Sequence, residues 1–529
     1  MADAIDMNTD TGDGAFSASQ EGRVGGGRIE GGYDAVVVGA TIDGYVAAAY
    51  LAKSGLRTVL LEAGAEQPER RAFAPGFYAD DGECLLRDLD TEAVNALNLY
   101  RHGLCYVQRR FGAMYYFSDQ SSLAMNGDLF CAYETVADFD EAEADPFQRF
   151  LEQLLETGRE LRPFFHGEPT GKLSAKTLKL IDFYGSSSID QLLNRGFKND
   201  RLKDLLRTEA SIHSGLRPSD PHSFLSLIRR WSGEAAGLQG GCAFASGGFA
   251  GLYSALRRGA QALGVDIRAG GAIGSMLVEW DGAAGVQMAD GGQIRAPIVI
   301  NALGAARAFI DQLGPEHIDI EFQKSITTPE PRFTFAKVHI ALSGAAKDDL
   351  TKKNLSRRLV YCPDAREVRV AYRMARDGEV GPALMAELTF PSIFEEGWAP
   401  ENSHLAQAWI GPVPYRTDDM ERTRKEVGRA ALSTFEFIAP GVTDRVTAID
   451  VQLTDDRANI LGLPSTALSG YDAVLAQAQR ARVARTASNV RGVFYCGPEA
   501  QISPGVNGAA GRRAGQAAIA YRRSLGAAA

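Results

Sequence analysis

The residues best suited to chemistry in this sequence are Gly39-Ala40-Thr41-Ile42-Asp43-Gly44, followed by Glu62. A dinucleotide-binding turn needs one glycine for the tight turn and a second where the pyrophosphate approaches the backbone. A third lets the helix pack on the strand. Gly39 and Gly44 fill the first and third places, but Thr41 stands in the second, where a side chain crowds the phosphate. Asp43 suits a helix N-terminus as a cap and as a partner for the helix dipole. At ~4 Å the same charge opposes a pyrophosphate by about 1 to 4 kcal/mol per charge pair, depending on the local dielectric. Glu62 falls about twenty residues past the turn, where an acid hydrogen-bonds the ribose.

The elements around these residues have the required order. Residues 33–39 form a short apolar run ending in glycine, the pattern of a strand buried on both faces. Residues 45–54 read as an Ala-rich helix closed by Gly55, and residues 57–62 as a second buried strand. Asp145-Pro146 offers a helix start. Helical spacing continues through Phe147, Phe150, Leu151, Leu154 and Leu155 and on to about Trp231. A helix over 252–263 and strands at 285–288 and 298–301 come next. Residues 333–342 and 367–372 read as strands of a second sheet, and 420–437 as a helix. A last buried strand, 492–496, leads into a Gly-rich turn and a helix to Tyr521.

Dinucleotide-type segments thus lie at the start, middle and end. The expected fold is α/β (α+β overall): a Rossmann-like domain from 33–110, 235–310 and 485–529, with an interleaved domain of mixed sheet and helices from 111–234 and 311–484. Residues 1–32, rich in Gly, Asp, Ser and Thr, are expected to be a disordered lead-in without a signal peptide.

This layout resembles the phytoene-dehydrogenase-like FAD-dependent oxidoreductases, a group that includes the carotenoid desaturases. The resemblance covers most of the chain from Tyr33. It rests on residues 39–62, 101–104, 215–221 and 247–252, and on Cys496-Gly497-Pro498-Glu499 with Gly505-Val506-Asn507-Gly508-Ala509-Ala510-Gly511. Gly497-Pro498-Glu499 is also similar to the glycine-x-Glu of flavin amine oxidases. The resemblance implies FAD as cofactor, with contacts from Gly39, Ala40, Thr41, Gly44, Glu62, Ala63, Ile273, Gly497, Glu499, Val506 and Gly508. It implies that the final helix points its N-terminus at the flavin's pyrimidine end, where reduced flavin gathers negative charge. The family's Gly-Gly pair after the ribose acid is missing, and Glu66 and Glu69 add negative charge there. Arg70 and Arg71 are read either as phosphate contacts or as a solvated surface run.

The chain has 529 residues, a net charge of -10 and 45% apolar residues, which argues for a multidomain globular protein and against a broad nucleic-acid surface. No run of about 20 uncharged apolar residues is present. The six cysteines are scattered and make no metal pattern, which points to a reducing, cytoplasmic setting. His213 and His339 read as structural, Arg369 and Arg373 as solvated sheet-face residues. No metal site and no catalytic side chain are identified. Flavin would carry the hard chemistry.

The resemblance therefore implies an oxidoreductase that oxidises or desaturates a hydrophobic small molecule by hydride transfer to flavin and passes electrons to an unidentified acceptor. Peripheral membrane contact is compatible with such a substrate. The altered phosphate loops support a second reading: a cofactor-free or weakly FAD-binding descendant acting as a partner subunit or binding module.

Overall fold

A computed structural model describes residues 21–24, 27–30, 32–62, 70–82, 85–126, 131–320, 323, 332–344, 352–461, 490–500 and 507–527. The stretch opening at Ala35 is wholly apolar and wholly buried, and forms strand β1 (Ala35–Val38). It is followed by helix α1 (Ile42–Lys53) and strand β2 (Thr58–Glu62). The middle of the chain adds helix α2 (Gly248–Ala262), strand β3 (Asp266–Ala269) and strand β4 (Val299–Asn301). The end adds strand β5 (Val493–Tyr495) and helix α3 (Ala509–Ala527). The five strands form one parallel sheet in the order β3-β2-β1-β4-β5. Parallel strands buried on both faces need the near-continuous apolar runs seen here.

Helix α1 packs on the sheet and against both α2 and α3. Its close approach to α3 depends on a missing side chain: a Cβ on Gly511 would sit 2.1 Å from the backbone oxygen of Asp43.

A seven-stranded sheet forms the second layer system. Its order is 446–452, 333–342, 404–414, 385–389, 358–362, 113–117 and 122–125. Only the 358–362 and 113–117 pair runs parallel. The 141–165, 200–211 and 223–232 helices pack beside it, burying Phe147, Phe164, Phe165, Phe333, Phe335 and Trp409 in one apolar cluster with Phe150 against it. The fold is mixed α/β, as the sequence pattern implies.

Three expectations need correction. Residues 367–372 are not a strand but part of a helix, Ala365–Arg376. Its alternating Arg and apolar residues mimic period two, yet a capping box between Asp364 and Glu367 starts a helix that buries Val368, Ala371, Tyr372 and Ala375. Arg369 and Arg373 are therefore helical.

The helix expected to start at Asp145-Pro146 starts at Glu141, because the Asp140 side chain already accepts from Ala142 N at 3.2 Å. Pro146 lies inside it.

The expected disordered lead-in contains two paired strands, Glu21–Val24 and Gly27–Glu30. The second adds to the edge of a sheet built from 293–295, 282–288 and 273–279. Pairing with that open edge supplies backbone partners that the segment's composition cannot.

Among the described residues no helix is long and apolar enough to cross a membrane, and no group of His, Cys, Asp and Glu is placed to hold a metal. Cys105, Cys131, Cys242, Cys362 and Cys496 are free thiols.

Candidate functional site

The carboxyl ends of β1, β2, β4 and β5 share one edge of the parallel sheet. Backbone bonds lock the turns there. Gly39 N donates to Leu61 O at 2.9 Å, Ala302 N to Val38 O at 2.8 Å, and Cys496 N to Asn301 O at 2.9 Å. The order reverses between β1 and β4, and open α/β sheets bind ligands at such a switch point. Gly39 has φ +104°, and a Cβ on it would lie 2.8 Å from Leu303 Cδ2. A Cβ on Gly44 would lie 2.0 Å from the Gly39 carbonyl oxygen, and one on Gly497 1.9 Å from Leu303 O. Gly44 thus has the helix-packing role its spacing suggests. Gly508, at φ +79°, turns the chain into α3, whose first N–H, that of Ala509, donates to the Asn507 side chain at 2.9 Å.

The N-terminus of α1, where a pyrophosphate would meet backbone N–H groups, is furnished by this chain's own side chains. Thr41 is its N-cap, and its hydroxyl accepts from Gly44 N at 3.1 Å. The N–H of Ile42 donates to the phenol oxygen of Tyr253 on α2. Tyr253 is buried, edge-on to Tyr45 at 6.2 Å and tilted against Phe249 at 4.8 Å. Ala40 is buried beside this turn.

Asp43 does not cap α1, and its carboxylate is turned to another helix. It accepts from Gly511 N at 2.9 Å and from Ala510 N, at the N-terminus of α3. Burial pushes its pKa up to about 7, against the lowering effect of those N–H groups and of Arg513.

Glu62 ends β2. Its Oε1 accepts from the Tyr45 hydroxyl at 3.0 Å and from Arg257 Nε at 3.1 Å. Beside it stands Ala269 of β3, and four residues on, buried Ile273 begins the next strand. Glu499 belongs to a short 3-10 turn at 498–500. Ala63 and Val506 lie outside the described residues, as does the segment that would carry the Gly-Gly pair.

Arg70 and Arg71 are paired with acids of this chain rather than forming a solvated run. Arg70 pairs with Glu395 at 3.2 Å and covers the Trp398 ring at 3.9 Å, while Arg71 pairs with Asp81 and Asp450. The acids neutralise the charge that a phosphate would need.

Several polar residues escaped the sequence reading. Tyr253 and Arg257 stand four residues apart on α2, so they share one helix face. Lys337 is 1% exposed in a wholly buried strand, shared with the polar Thr334 and His339, and donates to the carbonyls of Asp80 and Gly82. A lysine in a mostly apolar run was the available signal, since lysine is almost never fully buried without partners. Trp409 gathers cations: Arg457 lies 4.2 Å over its ring, Lys337 5.7 Å, and His213 packs edge-on at 4.6 Å. His339 is fully buried and bonded to Asp450 at 3.0 Å, a structural histidine as read.

Between the seven-stranded sheet and the helices lies a buried ion network. Arg358 reaches Glu209 at 2.9 Å and Glu387 at 2.7 Å. Arg230 reaches Glu387 at 2.9 Å and also pairs with Glu209, and Arg87 reaches Glu387 at 2.5 Å. Burial would raise the Glu209 pKa, but Arg230 and Arg358 hold it down at about 2.

No family model matches the chain. It is 26% identical to the mouse (Mus musculus) pyridine nucleotide-disulfide oxidoreductase domain-containing protein 2, over 92% of this chain and 93% of that one. Over 51% of this chain and 56% of the other, it is 32% identical to hydroxyneurosporene desaturase of Cereibacter sphaeroides. In fold it matches an oxidoreductase from Methanosarcina mazei with TM-score 0.60 and 16% identity, covering 92% of this chain and 99% of that one. It matches cyclohexylamine oxidase from Brevibacterium oxydans with TM-score 0.58 and 17% identity, covering 93% and 99%.

Proposed function

We propose that this relative of the phytoene-dehydrogenase-like FAD-dependent oxidoreductases is itself an FAD-dependent oxidoreductase acting on a hydrophobic small molecule. The observation that carries the reading is Glu62 held at the end of β2, beside the Gly39 turn and next to β3, where an acid receives an adenosine ribose. When bound, FAD would accept hydride from a substrate carbon. The chain's own part is to hold the cofactor and shape a site from which water is excluded. Similarity to a hydroxyneurosporene desaturase and a phytoene desaturase supports an apolar substrate, and the electron acceptor would be a separate molecule.

The fit to FAD is uneven along its length. At the ribose end Glu62 stands in the right place, with its Oε1 held by Tyr45 and Arg257. The pyrophosphate end is less well provided: the N–H groups of Ile42 and Gly44 already have partners in Tyr253 and Thr41. The N–H groups of Ala510 and Gly511 on α3 are likewise taken by Asp43. These occupied donors favour a second reading, in which the chain keeps the fold without the cofactor and serves as a partner subunit or binding module.

The visible absorption spectrum of the purified protein, before and after FAD addition and desalting, tests the choice. A retained, protein-bound flavin spectrum supports the enzyme. A colourless protein that takes up no FAD overturns it and favours the binding module.

A further inference from the structure

Beside the 365–376 helix, where it meets Phe333 at the start of the 333–342 strand, lies a cleft of about 750 Å³. That volume is within the ordinary range for small-molecule sites, about 300–1,000 Å³. Its walls hold Arg207, Arg217, Arg332, Arg369, Arg373 and Arg376, against two acids, Asp190 and Asp220. The excess of four positive charges stands out in a chain whose net charge is -10.

The two acids are committed. Asp190 pairs with Arg207 at 2.8 Å and Asp220 with Arg217 at 2.7 Å. Arg376 pairs with its neighbour Asp377, outside the lining, at 2.8 Å. Arg332, Arg369 and Arg373 form no ion pair among the described residues, and all three are exposed. Arg369, Arg373 and Arg376 follow one another at i, i+4 and i+7, so they rise along one helix face in steps of about 6 and 4.5 Å. The floor is different in kind: Leu216, Phe333, Val368 and Tyr372 are all buried and mostly apolar.

We propose that this cleft binds a small molecule carrying two or more phosphate charges on an apolar body. Guanidinium forks match phosphate oxygens two at a time, and a group with several phosphate charges can engage several of them. Arg207 also pairs with Asp204 at 2.6 Å, so the charges left without an acid among the described residues are those of Arg332, Arg369 and Arg373, and a single carboxylate would neutralise only one of them. Nucleic acid is disfavoured because the surrounding acidic chain would repel a long polyanion. The site is separate from the dinucleotide edge, so the proposal stands whether or not FAD is bound.

Calorimetric titration of the full-length protein with inorganic pyrophosphate tests it. Arg369→Glu with Arg373→Glu removes the two unpaired helix arginines. Arg366→Glu, on the same helix but outside the cleft, is the control, and Arg369→Gln with Arg373→Gln serves if the charge reversal disturbs folding. Pyrophosphate is expected to bind the natural protein and the control alike, and to bind the cleft variant more weakly by about tenfold for each guanidinium lost. No binding at millimolar pyrophosphate, or equal binding to all variants, would overturn the proposal. So would sedimentation with phosphatidylglycerol vesicles that depends on Arg369 and Arg373 but is not displaced by pyrophosphate, because the partner would then be a membrane surface.

Discussion

The carboxylate of Asp43 accepts a hydrogen bond from the backbone N–H of Gly511 at 2.9 Å, joining the first dinucleotide-type helix to the last across 468 residues. The acid therefore does for α3 what an N-cap does for its own helix, supplying an acceptor and a favourable charge. It does so while buried, and burial raises its pKa from 3.8 to about 7.

A pH dependence of stability follows. Between about pH 4 and pH 7 the folded protein holds a proton on Asp43 that the unfolded chain has lost. Stability from this group is fully present below about pH 4, falls as pH rises, and has been lost above about pH 7. The upper bound on the loss is about 4 kcal/mol, at 1.36 kcal/mol per unit. Asp43→Asn keeps an oxygen for Gly511 and removes the titration. Its Tm relative to the natural protein is expected to rise from about pH 5 to about pH 8. A constant difference across that range would show that Asp43 does not titrate there.

The buried ion network gives a prediction of opposite sign. Glu387 answers three arginines, Arg87, Arg230 and Arg358. Removing one partner of a buried pair costs about 3–5 kcal/mol, because the remaining charge is left without compensation. Glu387→Gln should therefore lower the unfolding free energy by that order, read as a lower urea midpoint at an unchanged slope. A loss below 1 kcal/mol would show that water or neighbouring groups already screen the arginines.

Glu209 should make the fold sensitive to strong acid. Its pKa of about 2 lies below the ordinary 4.5, so its contribution is present above about pH 4.5 and is lost as pH falls toward 2. Comparing Glu209→Gln with the natural protein across that window isolates the effect. The variant should be less stable at neutral pH, and the gap should close near pH 2. A gap that persists unchanged at pH 2 would mean that packing, not charge, is what Glu209 supplies.

The sequence made the β1–α1–β2 unit legible because its signals are local: a buried run at Val36–Val38, a glycine forced by the turn, and an acid at the strand end. The partners of those residues were not legible. Tyr253 reaches Ile42 from another segment, and Asp43 turns away from its own helix terminus. Pattern alone misread residues 367–372, where Val368, Val370 and Tyr372 satisfy period two. Val368, Ala371, Tyr372 and Ala375 satisfy the helical period equally, and the capping box at Asp364 decides between them.

Thr41 and Tyr253 set the last prediction, because each occupies an N–H group that a pyrophosphate would need. Thr41→Gly removes both the cap and the side chain nearest the phosphate path. The cap loss is small for glycine, a few tenths of a kcal/mol, since glycine is itself tolerated at the N-cap. Tyr253→Phe keeps the ring against Phe249 and Tyr45 but releases the Ile42 N–H. If the site is an FAD site with crowded phosphate donors, the double variant should bind FAD more tightly, by about tenfold or more for each charge-assisted hydrogen bond regained. Flavin fluorescence quenching on titration measures this directly, and a thermal melt checks that the variant remains folded. A folded double variant with no gain in affinity would mean that Thr41 and Tyr253 are not what limits FAD at this edge, and the cofactor-free reading would then be the better account of the fold.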